Sequence, residues 1–216
     1  MPDQRTGPPM PERYLSLRGE GVWEATTQKS RFIGYAAPAL EEAQAQAYLR
    51  GVAALHPGAS CICHGYICGL GGQVQRFYDG HEPVGGLPIL DALKKQGLVG
   101  AVCAVVRYFG GVKLGAGGLA RAFGQAAAMS IEAAGAVLYT QSLRVRVTAD
   151  YSAQKRLEYV LEHSSFIAEG WEFQEQAAVT VLLPQSQLDE FSARMLDLTH
   201  GAALLETVDT LYYPWA

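Results

Sequence analysis

Residues Arg107 to Gly124 read RYFGGVKLGAGGLARAFG, and the rest of the chain is organised around them. Ahead of them, Leu98 to Val106 is a continuous apolar run, the pattern of a buried strand. Behind them, Leu119 to Ala134 is Ala-rich and helical in composition, with Gly135 as a C-terminal stop. Between the two lie Gly110, Gly111, Gly115, Gly117 and Gly118, with Arg107, Lys113 and Arg121 set among them. A strand, a flexible turn and a helix start leave backbone N–H groups free, which suits an anion such as phosphate.

The better-known phosphate loops fit less well. Gly110 to Gly115 has Walker A spacing, but Ala116 stands where that loop needs Lys. Gly115-x-Gly117-x-x-Ala120 matches a loose dinucleotide fingerprint. However, Arg107 to Leu114 intervene after the strand, and no strand-ending acid follows near position 135. A purely structural reading, in which the glycines serve a tight turn and close packing, accounts for the glycines but not for the three cations.

The stretch resembles the signature of the YigZ/IMPACT family, R-Y-F-G-G-x-K-L-G-x-G-G-L-x-R-A, almost without a break. Lys29-Ser30-Arg31-Phe32-Ile33 and Asp79-Gly80 to Pro83, ahead of Pro88-Ile89-Leu90, extend the resemblance. The family's usual A-T-H-x-C-x-A-Y pattern meets Ala59-Ser60-Cys61-Ile62-Cys63 here, with Cys61 in place of the His. Its S-D-D-G-E-P-S-G-T-A-G-x-P loop meets a version with His81 inserted and two residues missing between Gly85 and Gly86.

The resemblance implies an α+β protein of two domains. A flexible tail over 1–13 precedes an N-terminal domain at 14–138, similar to domain IV of elongation factor G, a βαβ fold shared with a ribosomal protein and GHMP kinases. Residues 139–216 would form a ferredoxin-like domain similar to domain V of that factor. A role in regulating translation is implied with it.

Composition agrees with a globular chain: 216 residues, 49% hydrophobic and 18% charged. No apolar run is long enough to span a membrane, and Met1 to Arg13 is Pro-rich and polar without a signal core, so a cytoplasmic protein is expected. Cys61, Cys63, Cys68 and Cys103 fit reduced thiols rather than a disulfide framework. The net charge of −4 is uneven. Residues 1–138 carry 12 Lys and Arg against 10 Asp and Glu, whereas residues 139–216 carry 5 against 11. Such a molecule can present one face to RNA rather than a uniformly basic surface.

Local patterns supply the remaining elements. Val22–Ala25 and Arg31–Ala36 read as strands around a polar turn bearing Lys29 and Arg31. Glu41 to Leu55 reads as a helix, with Ala45, Leu49, Val52 and Ala53 on one face. Cys61–Leu70 and Gln73–Tyr78 form a hairpin, and a short helix runs from Pro88 to Gly97. Ala136–Thr140 is a return strand. Beyond it, Leu143, Val145 and Val147 alternate with Arg144, Arg146 and Thr148. Asp150 caps a helix striped by Ala153, Leu157, Val160 and Leu161. Phe166–Phe173, Ala177–Leu183, a helix through Leu188 and Leu198, and Ala203–Tyr213 complete a βαββαβ order.

Other constellations are weaker. On a strand, Cys61 and Cys63 face one way while His64 and Cys68 face the other, so four zinc ligands do not converge and no metal is assigned. Asp79, His81 and Glu82 offer acid–base chemistry, or simply turn and capping residues. Tyr66, Phe77, Tyr78, Tyr108 and Phe109 are either core or stacking platforms for bases. Ser30, Ser130 and Ser165 lack a nucleophile-elbow context. The leading expectation is a translation-related protein that binds ribosomal or structured RNA without a cofactor. Its phosphate contacts would be Arg107, Gly110, Gly111, Lys113, Gly115, Gly117, Gly118 and Arg121, joined by Lys29 and Arg31 at the first hairpin. The alternatives are a phosphate-ligand transferase or hydrolase using the glycine turn with Asp79 to Glu82, and a protein-partner module using the C-terminal domain.

Overall fold

The computed structural model describes residues 10–215. Of the tail expected over Met1 to Arg13, residues 1–9 lie outside the described residues, and Arg13 already opens the first strand, β1 (Arg13–Leu17). The chain divides into two compact units, one up to Leu138 and one from Tyr139.

The first unit is built on β2 (Gly21–Thr27), β3 (Ser30–Pro38), β4 (Cys61–Cys68), β5 (Val74–Tyr78) and β6 (Ala101–Tyr108). They pair antiparallel in the order β2-β3-β6-β4-β5. The helix α1 (Glu42–Leu55) covers one face. There Ala45, Leu49 and Val52 meet Ile33, Val102 and Val106. The helices α2 (Gly86–Lys95) and α3 (Gly115–Ala134) cover the other, where Ile89 and Phe123 meet Phe32, Cys103 and Val105. Because β6 sits in the middle of a sheet covered on both sides, every residue from Ala101 to Arg107 is buried, and its sequence shows no alternation.

Three of the differences from the sequence reading are element starts with a clear physical cause. Gly100 takes φ +62, so β6 starts at Ala101 and the buried Leu98 belongs to the turn before it. The helix α2 begins two residues ahead of Pro88, because Asp79 Oδ1 accepts a hydrogen bond from Gly86 N at 2.6 Å and caps it from across the loop. The helix α3 begins at Gly115 rather than Leu119, so Gly115, Gly117 and Gly118 fall in its first turn. Its C-terminus agrees with expectation, with Gly135 at φ +70.

The long strand β7 (Ala136–Ala149) is a single element where the sequence suggested two, and the chain leaves the first unit along it. The second unit continues with α4 (Tyr151–Glu162), β8 (Ile167–Phe173), β9 (Ala177–Pro184), α5 (Leu188–Leu198) and β10 (Leu204–Tyr213). Antiparallel pairing in the order β10-β7-β9-β8 makes it ferredoxin-like. Leu143, Val145 and Val147 pack with Leu157, Leu161, Phe191 and Met195 from the two helices. The alternate residues Arg144 and Arg146 lie on the opposite face. Asp150 stands at the N-cap of α4, but its side chain accepts from Gln176 Nε2 at 3.1 Å instead of a helix N–H. No helix among the described residues is long and apolar enough to cross a membrane.

Candidate anion-binding site

The last strand residues of β6 divide the sheet's two faces between them. Arg107 points toward α2 and α3, whereas Tyr108 points toward α1. Arg107 is buried, with 4% of its surface exposed. Its Nη1 donates to the Glu82 carboxylate in a short ion pair, and Nη2 lies 3.5 Å from Ser30 Oγ. The guanidinium sits between Phe32 and Phe109, 5.7 and 5.2 Å from the ring centres. Its Nε–H has no acceptor.

Beyond the strand the glycines serve different ends. Gly110 lies against the backbone of the β2–β3 turn, where an added Cβ would stand 1.8 Å from the Lys29 carbonyl oxygen. Gln28 and Lys29 both take positive φ, 45° and 65°, to make that two-residue turn. Gly111 and Gly115 need left-handed backbone, at φ +85 and +71. Gly117 meets nothing within 4 Å of an added Cβ, so neither packing nor a left-handed backbone calls for glycine there. What its missing side chain leaves is bare backbone at the first turn of a 20-residue helix, with no side-chain cap and no acid in that turn.

Arg107, Lys113 and the helix start share one cleft of about 500 Å³. Glu82, Pro83 and Phe109 form one part of its wall, and Leu114, Gly115, Ala116 and Leu119 another. Arg121 lies elsewhere, in a groove between α2 and α3 with Asp91 and Lys95. Lys113, Arg121 and Lys29 are exposed. Arg31 is on the opposite face of the sheet, over the Tyr108 ring at 5.6 Å. Two contacts of 2.6 and 2.7 Å bind it to Glu24, whose carboxyl is held below its usual range chiefly by that hydrogen bond. The fold thus groups Arg107 with Lys113, sets Arg121 beside a neighbouring groove, and removes Arg31 to the far face.

The loop Asp79–Gly86 does not assemble an acid–base set. Asp79 caps α2, Glu82 holds Arg107, and His81 is exposed. Cys61 and Cys63 lie beneath the loop on the α2 and α3 side, while Cys68 packs on the α1 side. Their Sγ atoms are 3.2 Å apart, and Cys63 donates to the Asp79 carbonyl at 2.9 Å. The contact with Cys63 lowers the Cys61 thiol, and the same contact together with burial raises Cys63. On the opposite face, His56 is held between two tyrosines, with Tyr35 Oη at 2.7 Å from Nε2 and Tyr108 Oη at 2.8 Å from Nδ1. Burial depresses its pKa, with Arg31 adding to the effect.

The Glu82–Arg107 pair and the part taken by Ser30 were not visible in the sequence, since these residues stand 25 and 77 positions from Arg107. Among the aromatics, Tyr66 is core, while Phe77, Tyr78 and Phe109 are about half exposed.

Residues 28–131 match the Impact N-terminal domain, and residues 147–202 match a domain of unknown function, DUF1949. The IMPACT family member YvyE of Bacillus subtilis is 30% identical over 201 residues, covering 92% of this chain and 93% of that protein. The chain belongs to the IMPACT family. YigZ of Escherichia coli, another member, is 29% identical over 186 residues, 84% of this chain and 91% of its own. A Thermus thermophilus member is 47% identical over 108 residues, 50% of this chain and 58% of that protein. A crystal structure titled as a hypothetical protein superposes with a TM-score of 0.60 at 27% identity, covering 92% of this chain and 98% of that one.

Proposed function

We propose that this IMPACT-family protein binds the phosphates of ribosomal or other structured RNA at the start of α3 and thereby modulates translation. Membership of the IMPACT family supports a translation-related role, as the sequence resemblance implies. The observation that carries the RNA reading is the set of uncommitted groups around Gly115. Lys113 and Arg121 make no hydrogen bond or ion pair among the described residues; Lys113 stands at the uncapped, glycine-rich helix start, and Arg121 lies further along the same helix beside the neighbouring groove. Exposed cations and free N–H groups at one helix end are what phosphate oxygens need. Phe77, Tyr78 and Phe109 add exposed rings on the same unit, and bases stack on such rings with little sequence preference. Arg144 and Arg146 of the second unit offer no comparable surface, because each is already paired with carboxylates across its sheet.

The test is co-sedimentation of the protein with ribosomes on gradients at low and moderate salt, beside a Lys113→Ala/Arg121→Ala double variant. The wild type is expected to travel with a ribosomal subunit and to release as salt rises, and the variant to stay at the top. Co-migration of both proteins at every salt would remove the motif from the interface. Absence of both from the ribosome would favour the enzyme reading, which a thermal-shift screen with nucleotides then takes up.

A further inference from the structure

The cleft beside α3 is built differently from a surface that tracks a nucleic-acid backbone. Its deepest cation, Arg107, is 4% exposed, and the Glu82 side chain that covers it is 22% exposed. A backbone phosphodiester carries a sugar on each side and lies along a surface, so it does not reach such a group. A phosphate attached through a single ester oxygen enters end-on. We infer that the cleft receives a terminal phosphate monoester of a nucleic acid, and that Glu82 occupies the place of that phosphate when the cleft is empty. This rests on the RNA reading above and names the part of the RNA that the cleft would take.

Three observations converge on a dianionic guest. Arg107 carries an Nε–H without an acceptor at a position more than nine-tenths buried, in a side chain that lines the cleft. An orphaned donor of this kind calls for an acceptor that the folded chain itself does not supply. Lys113 lines the same space with no partner among the described residues. The first turn of α3 adds free N–H groups and the positive end of its dipole. A monoester offers three terminal oxygens and a charge of roughly −1.5 to −2 at neutral pH, enough for all of these at once.

Glu82 is the internal competitor. Its carboxylate meets Nη1, Ser30 Oγ lies 3.5 Å from Nη2, and the Nε–H is left without an acceptor. The backbone of the loop that carries Glu82 is held: Asp79 Oδ1 accepts from Gly86 N, the Asp79 carbonyl accepts from Glu82 N at 3.0 Å, and Val84 packs against the core. The Glu82 side chain, 22% exposed, is the part that can turn toward solvent. An incoming phosphate repels its carboxylate, and a change of rotamer at Glu82 is enough to release Arg107. Phe109, 48% exposed at the cleft wall, then stands where the terminal base can stack.

The experiment measures binding of the full chain to one short RNA sequence in three forms: 5′-phosphate with 3′-hydroxyl, 5′-hydroxyl with 3′-phosphate, and hydroxyl at both ends. A phosphate at one end is expected to tighten binding about tenfold, the scale of one or two charge-assisted contacts. That preference should fall toward unity in Lys113→Ala, an exposed change that leaves folding intact, and should grow in Glu82→Gln. Equal binding of all three RNAs by a folded wild type overturns the cleft inference while leaving backbone binding in place. Should no RNA bind while a nucleoside monophosphate raises the melting temperature of the wild type but not of Lys113→Ala, the cleft stands and the RNA reading falls. Failure of every phosphate probe overturns both.

Discussion

The two sheets of this protein treat charge in opposite ways. The sheet of the first unit is covered on both faces, so its central strand has no outward side and buries Arg107 along with the apolar residues before it. The sheet of the second unit is covered on one face, and β7 alternates between core valines and surface arginines. Arg144 meets Glu169 and Asp209, and Arg146 meets Glu172, all across neighbouring strands. Its surface cations are therefore neutralised in place. In the first unit one pair is buried, Glu82 with Arg107, and one is exposed, Glu24 with Arg31, while Lys113 at the helix start has no partner among the described residues.

The sharpest way to break this comparison is Gly110→Ala. Its methyl would enter the backbone of the β2–β3 turn, 1.8 Å from the Lys29 oxygen, where no flexible side chain can give way. A loss of about 3 kcal/mol or more is expected in urea unfolding. A variant as stable as wild type would mean that the turn and the glycine loop are not locked together.

Glu82→Ala comes next. It leaves Arg107 buried without its counter-charge, and the partial exposure of Glu82 moderates the cost to about 2 kcal/mol. Arg146→Ala, at an exposed pair, is the control and should leave the unfolding midpoint where it is. Equal effects would erase the distinction between the two units.

Acidification separates the units in another way. Burial depresses His56 and His64 of the first unit below the ordinary histidine value, so the folded form binds fewer protons than the unfolded form. Stability from this source is complete above about pH 6.5 and falls as pH drops through that value toward the folded-state pKa values. The melting temperature should therefore be lower at pH 5 than at pH 7.5, and His56→Gln should flatten the dependence. A melting temperature that rises on acidification would contradict the assignment.

The smallest effect sharpens the functional side. Gly117→Ala adds a methyl to open space in the first turn of α3, and a helix gains up to about 0.5 kcal/mol from such a change. The same methyl crowds the N–H groups offered to phosphate. A slightly more stable protein with weaker RNA binding is the expected pair of results. Unchanged binding would place the phosphate away from Gly117.

Much of the fold was legible because its signals are local. The apolar run before Tyr108, the alternation around Arg144, the stripe of α1 and the stop at Gly135 each follow from a period or a turn residue within a few positions. The misread starts of α2 and α3 have a different cause. Asp79 caps α2 from seven residues away, and packing of Leu119 and Phe123 draws three poor helix formers into the first turn of α3. Neither force has a local signature.

By itself the sequence determined the fold class, the βαββαβ order of the second unit, and a glycine-rich basic stretch at a strand-to-helix junction. Only the tertiary structure decided which of those cations are free. Arg107 and Arg31 are close in kind and both flank the motif in three dimensions, yet strand pairing puts them on opposite faces and supplies each with its own acid. Period and turn chemistry are carried by neighbours along the chain. The partner of a charge is set by register between strands and by a loop that folds back over them, and residues 25 and 77 positions from Arg107 meet there only because the sheet brings them together.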